Sequence, residues 1–356
     1  MESYLISLMS KKIKKAKLFN KKSINELKNE IKSENFNRIT LSFYKYTSIE
    51  DPKSFRDNLF LNLDSLNILG RIYISVEGIN AQISVPEHLY DKLGTILLSY
   101  DFIKSSDMKR AIQEGISFYK LTIKVRKELV AYGVKKNTYD MNKVGKHLNA
   151  IDYNNAIEDK DSIIVDMRNY YESEIGKFDN AIIPNAETSK ELLPEVKRIL
   201  KGKEKKNILL YCTGGIRCEK ASSYLIKSGF DNVSQLKGGI IQYAHEIKEK
   251  KINSKFIGKN FVFDNRLGER VTEDVIANCH ICKNSCDSHT DCNNDACHIL
   301  FIQCDSCQDT YDGCCSKECQ DFYNLPLSVQ KKIRKDPTKI VSKTFFDSRI
   351  KPKLNT

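Results

Sequence analysis

Cys212 lies in the run YCTGGIRCEKAS (Tyr211–Ser222), where a short apolar stretch gives way to two glycines, an arginine and the start of a helical pattern. Gly214 and Gly215 allow the backbone to turn its N–H groups inward, and the positive end of the following helix points the same way. An anion is favoured at the centre of such a loop. With Cys212 at that centre the anion is its own thiolate, and Arg217 adds a positive charge that pulls the thiol pKa below its usual value of about 8.5. A cysteine that merely closes a core strand needs neither the glycines nor the arginine, so the run predicts a loop that presents a nucleophile at neutral pH. Thr213, Gly214, Gly215 and Ile216 form the loop around it.

A second group of reactive residues follows. Ten of the twelve cysteines fall between Cys279 and Cys319: Cys279, Cys282, Cys286, Cys292, Cys297, Cys304, Cys307, Cys314, Cys315 and Cys319, interleaved with His280, His289 and His298. Cys279 with Cys282 and Cys304 with Cys307 have the two-residue gap that aims both sulfurs at one tetrahedral ion. In a reducing cytosol metal binding is a better account of such a block than disulfides. The set suffices for two sites and has ligands for a third, with structural zinc as the expected ion, because thiolate-rich sites are generally closed to substrate.

These groups need a scaffold. Ser162–Asp166 (SIIVD) and Asn207–Tyr211 (NILLY) are continuous apolar runs, as expected of strands buried on both faces of a parallel sheet, and Cys212 follows the second. Lys190–Lys201 and Cys218–Ser228 have helical spacing, and Gly229 closes the second. In a parallel α/β domain ligands bind at the carboxyl ends of the strands, which is where Cys212 sits. Upstream, Arg38–Tyr46, Gly70–Val76, Asn80–Val85 and Ser117–Arg126 read as strands, with helical stretches at Pro52–Leu66 and from Pro86 to Tyr100. The order β-α-β-β-α-β is that of a ferredoxin-like (acylphosphatase-like) domain, whose outward Tyr, Lys and Arg suit either RNA or plain solvent. The expected organisation is therefore mixed α/β and α+β: a basic extension over 1–36, a ferredoxin-like domain over 37–140, an α/β domain over 150–250, a cysteine-rich metal-binding region over 255–325 and a basic tail over 326–356.

Charge is concentrated at the ends. The 356-residue chain has a net charge of +12, of which residues 1–36 hold +5 and residues 331–356 hold +7, leaving the body neutral. Basic tails on a neutral body suit a polyanionic partner, because each lysine that meets a phosphate releases a counterion. With 40% hydrophobic and 29% charged residues and no apolar run near the eighteen or so needed to cross a bilayer, the chain reads as soluble, with no membrane role. The first residues lack a signal-peptide pattern, so a cytoplasmic location is expected.

The thiolate run resembles the rhodanese active-site loop, a cysteine followed by four residues and an arginine. Cysteine phosphatases are similar in fold but place five residues in that gap, which makes a wider cradle; here only residues 213–216 separate Cys212 from Arg217. Asp166, Arg168, Glu172, Gly176 and Ala181 match the D-x-R…E…G-x-x-x-x-A segment of rhodanese domains, which makes Asp166 and Arg168 supporting residues, and GFDNVSQLKGG (Gly229–Gly239) matches the closing strand and turn. Lys177 stands where rhodaneses usually carry histidine.

Within rhodaneses, SFYKY, VEGINAQISVP, CTGGIRCEKAS, GKNFVFDNRLGER and CHICKNSCDSH together resemble the bacterial tRNA uridine-34 5-hydroxylase family, over roughly residues 38 to 320. The resemblance implies an oxygen-dependent conversion of the wobble uridine to 5-hydroxyuridine, with molecular oxygen as co-substrate and the anticodon region of tRNA as partner. It leaves the electron donor and protein partners unassigned. No G-x-G-x-x-G fingerprint makes a sequence case for a flavin or nicotinamide site. Addition of Cys212 to C6 of uracil, which makes C5 nucleophilic, is a chemically sensible route. Cys218 is placed to resolve an oxidised Cys212 or to carry sulfur itself. Two rival readings are a sulfurtransferase that carries a cysteine persulfide and a metal-stapled RNA-binding module with an idle thiolate.

Overall fold

The computed structural model describes residues 18–19, 22–103, 108–186 and 188–335. Most of both basic ends, residues 1–17 and 336–356, lies outside the described residues; inside them, helices Ile24–Ser33 and Leu327–Lys335 occupy the inner parts of the predicted extension and tail.

The N-terminal unit is one five-stranded sheet in the order β4-β1-β3-β2-β5. Its strands are β1 (Arg38–Tyr46), β2 (Leu69–Ser75), β3 (Gly78–Pro86), β4 (Lys109–Arg110) and β5 (Leu121–Val125). The β2–β3 hairpin forms as expected. Gly78, at its turn, has φ +134°, and a side chain there would meet the Lys45 carbonyl oxygen at 1.9 Å, so only glycine fits. The predicted last strand shortens to β5 and runs parallel to β2 at one edge, while two-residue β4 borders β1 at the other. Alternation along the strands separates two faces. Leu41, Phe43, Ile72, Ile74, Ala81 and Ile83 pack with Leu59, Leu63, Leu93 and Leu97 from helices Pro52–Asp64 and Tyr90–Leu98. Ser42, Tyr44, Arg71, Tyr73, Asn80 and Gln82 therefore share the opposite face.

The second unit is a parallel sheet in the order β6-β10-β9-β7, with β6 at Lys146–Leu148, β7 at Ser162–Asp166, β9 at Asn207–Tyr211 and β10 at Asn232–Leu236. The apolar runs in β7 and β9 are covered on both sides. Leu192, Val196, Ala221 and Leu225 bury one face, and Tyr153, Ile240 and Tyr243 bury the other. Strand β8 (Gly176–Phe178) pairs with β11 (Phe256–Asn260), which also pairs with β12 (Glu269–Arg270). The cysteine-rich segment hangs from this small sheet and adds the hairpin of β13 (His289–Asp291) and β14 (Leu300–Ile302). Asp287 fastens it, pairing with Lys259 at 2.7 Å and Arg270 at 2.6 Å. Among the described residues no helix is long and apolar enough to cross a membrane.

Candidate active site

The chain leaves β9 at Tyr211 and turns through Cys212–Gly215 into the helix Ile216–Lys227. Gly215 adopts φ +100°, which turns its N–H back to the Cys212 sulfur at 3.1 Å. The Cys212 pKa is lowered to about 6. Burial, the largest influence, pushes it up, but this is outweighed by the Cys218 thiol donating to the sulfur, the Arg217 charge and the backbone N–H groups of Cys218 and Gly215. Cys218 moves the other way, its pKa held well up by burial and then by the neighbouring thiolate. The two cysteines are thus an acceptor and a donor at neutral pH.

One feature adds to the expected picture of the loop and a second corrects it. Arg217 is a partner of Glu172, with Nη1–Oε1 at 2.6 Å and Nη2–Oε2 at 2.9 Å, and acts on the sulfur through space. Cys212 is not presented at the surface: it is 0% exposed, packed in a cluster with Val165, Leu210 and Ala221. The N-terminal sheet closes over the loop, and a side-chain carbon on Gly215 would lie 2.8 Å from the Tyr44 hydroxyl.

The remaining loop residues tie the layers together. Thr213 Oγ1 accepts from Arg217 at 3.2 Å and donates to the Phe261 carbonyl at 3.4 Å. The Ile216 and Arg217 carbonyls accept from the hydroxyls of Tyr46 and Tyr132 at 3.3 and 3.0 Å. Glu219 takes a hydrogen bond from Tyr44 at 2.9 Å and contacts His147 at 2.8 Å. Lys220, fully buried, reaches across to Glu77 at 2.8 Å and Glu128 at 3.3 Å. Asp166 and Arg168 form a buried ion pair at 2.6 Å, and Arg168 also donates to the Gly176 carbonyl at 2.7 Å, so this pair braces the strand end behind the loop.

A cavity of about 370 Å³ opens where the sheet meets the loop. Ser42, Tyr44, Arg71, Tyr73, Asn80, Gln82 and Lys109 line one side, and Thr213, Gly214, Arg217 and Phe263 line the other. Cationic, aromatic and amide groups around one cleft suit an unstacked nucleotide.

Comparison with known proteins agrees with this layout. The chain matches the UPF0176 acylphosphatase like domain over residues 38–129, the rhodanese-like domain over 149–246 and the rhodanase C-terminal model over 257–320. A tRNA uridine(34) hydroxylase of Leptospira interrogans is 48% identical over 92% of this chain and 90% of its own length. Homologues bearing that name from Pectobacterium carotovorum and Yersinia pestis are 49% and 47% identical, each over 89% of this chain and 90% of their own length. The chain belongs to the tRNA uridine(34) hydroxylase family. The ferredoxin-like first unit and the parallel-sheet rhodanese unit expected from the sequence are both present.

The cysteine-rich block of this family member resolves into two four-sulfur groups able to hold a metal: Cys279, Cys282, Cys304 and Cys307, and Cys292, Cys297, Cys315 and Cys319. In each, the sulfurs lie within 4.8 Å of one another. The Cys282–Cys304, Cys297–Cys315 and Cys315–Cys319 separations of 3.5, 3.7 and 3.6 Å are close to the edge of about 3.8 Å set by a tetrahedron with metal–sulfur bonds of about 2.3 Å. Cys286, Cys314, His289 and His298, counted with the ligands on spacing alone, lie outside both groups. His289 instead packs edge-on against Phe261, and His298 lies beside Asp295. The remaining histidine of the block, His280, faces Glu174.

Sequence reasoning missed the role of Glu172 and the pocket wall carried by β1–β3. The usable signal was the alternation of Ser42 and Tyr44, Arg71 and Tyr73, and Asn80 and Gln82 against apolar neighbours, which marks a polar face too rich in aromatics and amides for a purely solvated surface.

Proposed function

We propose that this chain hydroxylates C5 of the wobble uridine, position 34, in the anticodon of cytoplasmic tRNA, with Cys212 as nucleophile, dioxygen as co-substrate and two structural zinc ions. The observation that carries the reading is a cysteine with a pKa of about 6 beneath a loop that lines a nucleotide-suited cleft, in a chain that matches its relative over 90% of that protein's length. The thiolate adds to C6 of uracil, moving the C5–C6 electron pair onto C5 and O4. C5 then takes one oxygen atom from dioxygen, an external two-electron reductant and two protons carry the other to water, and loss of the C5 proton expels the thiolate. Because Cys212 lies under its loop, the nucleotide reaches it by displacing the segment that Tyr44 covers. Zinc suits the two groups because all eight ligands are sulfur.

The test is mass spectrometry of tRNA nucleosides from a bacterial strain lacking its own hydroxylase, complemented with this chain or its Cys212→Ser variant. Restoration of 5-hydroxyuridine by the wild type and not by the variant is expected. A rise in thiolated nucleosides above the uncomplemented strain, with no 5-hydroxyuridine, would establish the sulfurtransferase.

A further inference from the structure

We infer that Asn80 and Gln82 read the N3–H and C4 carbonyl edge of the target uracil, and so set the choice of uridine over cytidine; this inference rests on the proposed function and names the base-recognition element of the same site. Both residues sit on β3, the central strand of the N-terminal sheet, on the face turned away from the helices. Strand register places Asn80 between Tyr44 and Tyr73, and Gln82 between Ser42 and Arg71. All six side chains line the cavity that Thr213, Gly214 and Arg217 close from the other side. Its volume of about 370 Å³ falls within the range of about 300–1,000 Å³ usual for small-ligand sites.

Hydrogen-bond accounting gives the pair its polarity. Gln82 Nε2 donates to Asn80 Oδ1 at 2.7 Å, which orients both amides relative to each other. That bond takes one lone pair of Asn80 Oδ1 and one N–H of Gln82 Nε2, and each atom keeps a second. An acceptor and a donor thus stand 2.7 Å apart with one hydrogen bond each still to make. A donor beside an acceptor is the complement of uracil, which offers the C4 carbonyl beside N3–H. Cytosine offers an amino group and an unprotonated N3 there, so both contacts become mismatches. Rejection by mismatched polar groups is the strong form of specificity, because it leaves partners unpaired in a confined site. The rings of Tyr44 and Tyr73 flank the amides, as expected where a base is held out of its stack.

The experiment uses the full chain and two tRNA transcripts that differ only in carrying U34 or C34, with affinities measured by filter retention at one salt concentration. The wild type should prefer U34 by about tenfold or more, the discrimination expected of one bidentate base contact. Asn80→Ala and Gln82→Ala should lose that preference and keep the C34 affinity, since the phosphate contacts are untouched. Asn80→Asp, nearly isosteric, keeps the acceptor that meets N3–H and should retain the U34 preference that Asn80→Ala loses. Circular dichroism melting separates these effects from misfolding. A U34-to-C34 ratio unchanged in both alanine variants, or absent from a wild type that restores 5-hydroxyuridine in cells, overturns the reader alone. A wild type that restores no 5-hydroxyuridine overturns the proposed function, whereas a U34 preference lost in the alanine variants still supports the reader.

Discussion

Arg217 and Glu172 face each other through a two-pronged ion pair, 2.6 and 2.9 Å, with the carboxylate 0% exposed. The arginine therefore has two jobs. It supplies part of the field that keeps Cys212 ionised, and it neutralises a carboxylate that has no access to water. Arg217→Ala should raise the Cys212 pKa from about 6 and destabilise the fold by about 3–5 kcal/mol, the usual cost of stranding one member of a buried pair. Arg217→Lys should rescue little, since a lysine cannot reproduce the planar fork. The checks are the pH midpoint of alkylation at Cys212, mapped by mass spectrometry, and urea unfolding; an unchanged midpoint would contradict the charge assignment.

The depressed thiol also leaves a mark on stability. Its folded pKa of about 6 lies below the unfolded value of about 8.5, so the unfolded chain binds more protons in between. The contribution is complete above the unfolded value and is lost as pH falls through about 6. Unfolding free energies measured at pH 9, 7.5 and 6 should therefore drop more steeply for the wild type than for Cys212→Ser, by up to about 1.4 kcal/mol per unit. Parallel slopes would mean that the folded thiol is not depressed.

Cys218 serves Cys212 as a hydrogen-bond donor. Cys218→Ala should raise the Cys212 pKa, lower tRNA hydroxylation at neutral pH and regain it at alkaline pH; a rise of about one unit from about 6 takes the thiolate fraction at pH 7 from about nine-tenths to about one half, a loss of about twofold. Cys212→Ser should stay inactive at every pH. If the alanine variant were dead throughout the range, Cys218 would hold a covalent role of its own.

Metal content should follow the partition of sulfurs. The purified protein is expected to carry two zinc ions per chain, released to a chromophoric chelator after denaturation. Cys279→Ser and Cys292→Ser should each lose about one, because a structural site needs four ligands. Cys286→Ser, Cys314→Ser, His289→Ala and His298→Ala should keep both, and loss of an ion in any of these four would redraw the ligand sets.

Lys220 joins the two large units. Its ammonium is fully buried between Glu77, which also accepts from the Leu129 N–H at 2.6 Å, and Glu128. Lys220→Met should cost about 2–4 kcal/mol, toward the low end for a broken buried pair because both glutamates keep some contact with water. Thermal unfolding would register this, and a shift within error would show that the units hold together without the pair.

What could be read in the chain followed the range of the interactions. The thiolate loop is twelve consecutive residues, so its glycine turn, helix start and nucleophile were legible together. Strands β7 and β9 were legible because burial on both faces makes the apolar run itself the signal. Strands β4 and β6, two and three residues long, are too short to carry any periodicity. Glu172 lies 45 residues from Arg217, and Tyr44 lies 175 from Glu219, contacts that exist only once β7 and β9 have paired in the first case and the two sheets have docked in the second. The two sulfur groups interleave along the chain, which is why Cys279 with Cys282 and Cys304 with Cys307 stood out while the wider gaps of the second group did not.

The tight turn at Gly78 has a genetic consequence. Side chains on β3 alternate between the cleft and the core, so a one-codon deletion or insertion between the turn and Gln82 would exchange the two sets. Isoleucines 79 and 83 would then line the cleft, and the amides of Asn80 and Gln82 would be driven into the apolar layer. Lineages of this protein should accordingly tolerate many substitutions along the outer helices, while the spacing between Gly78 and Gln82 stays free of length changes.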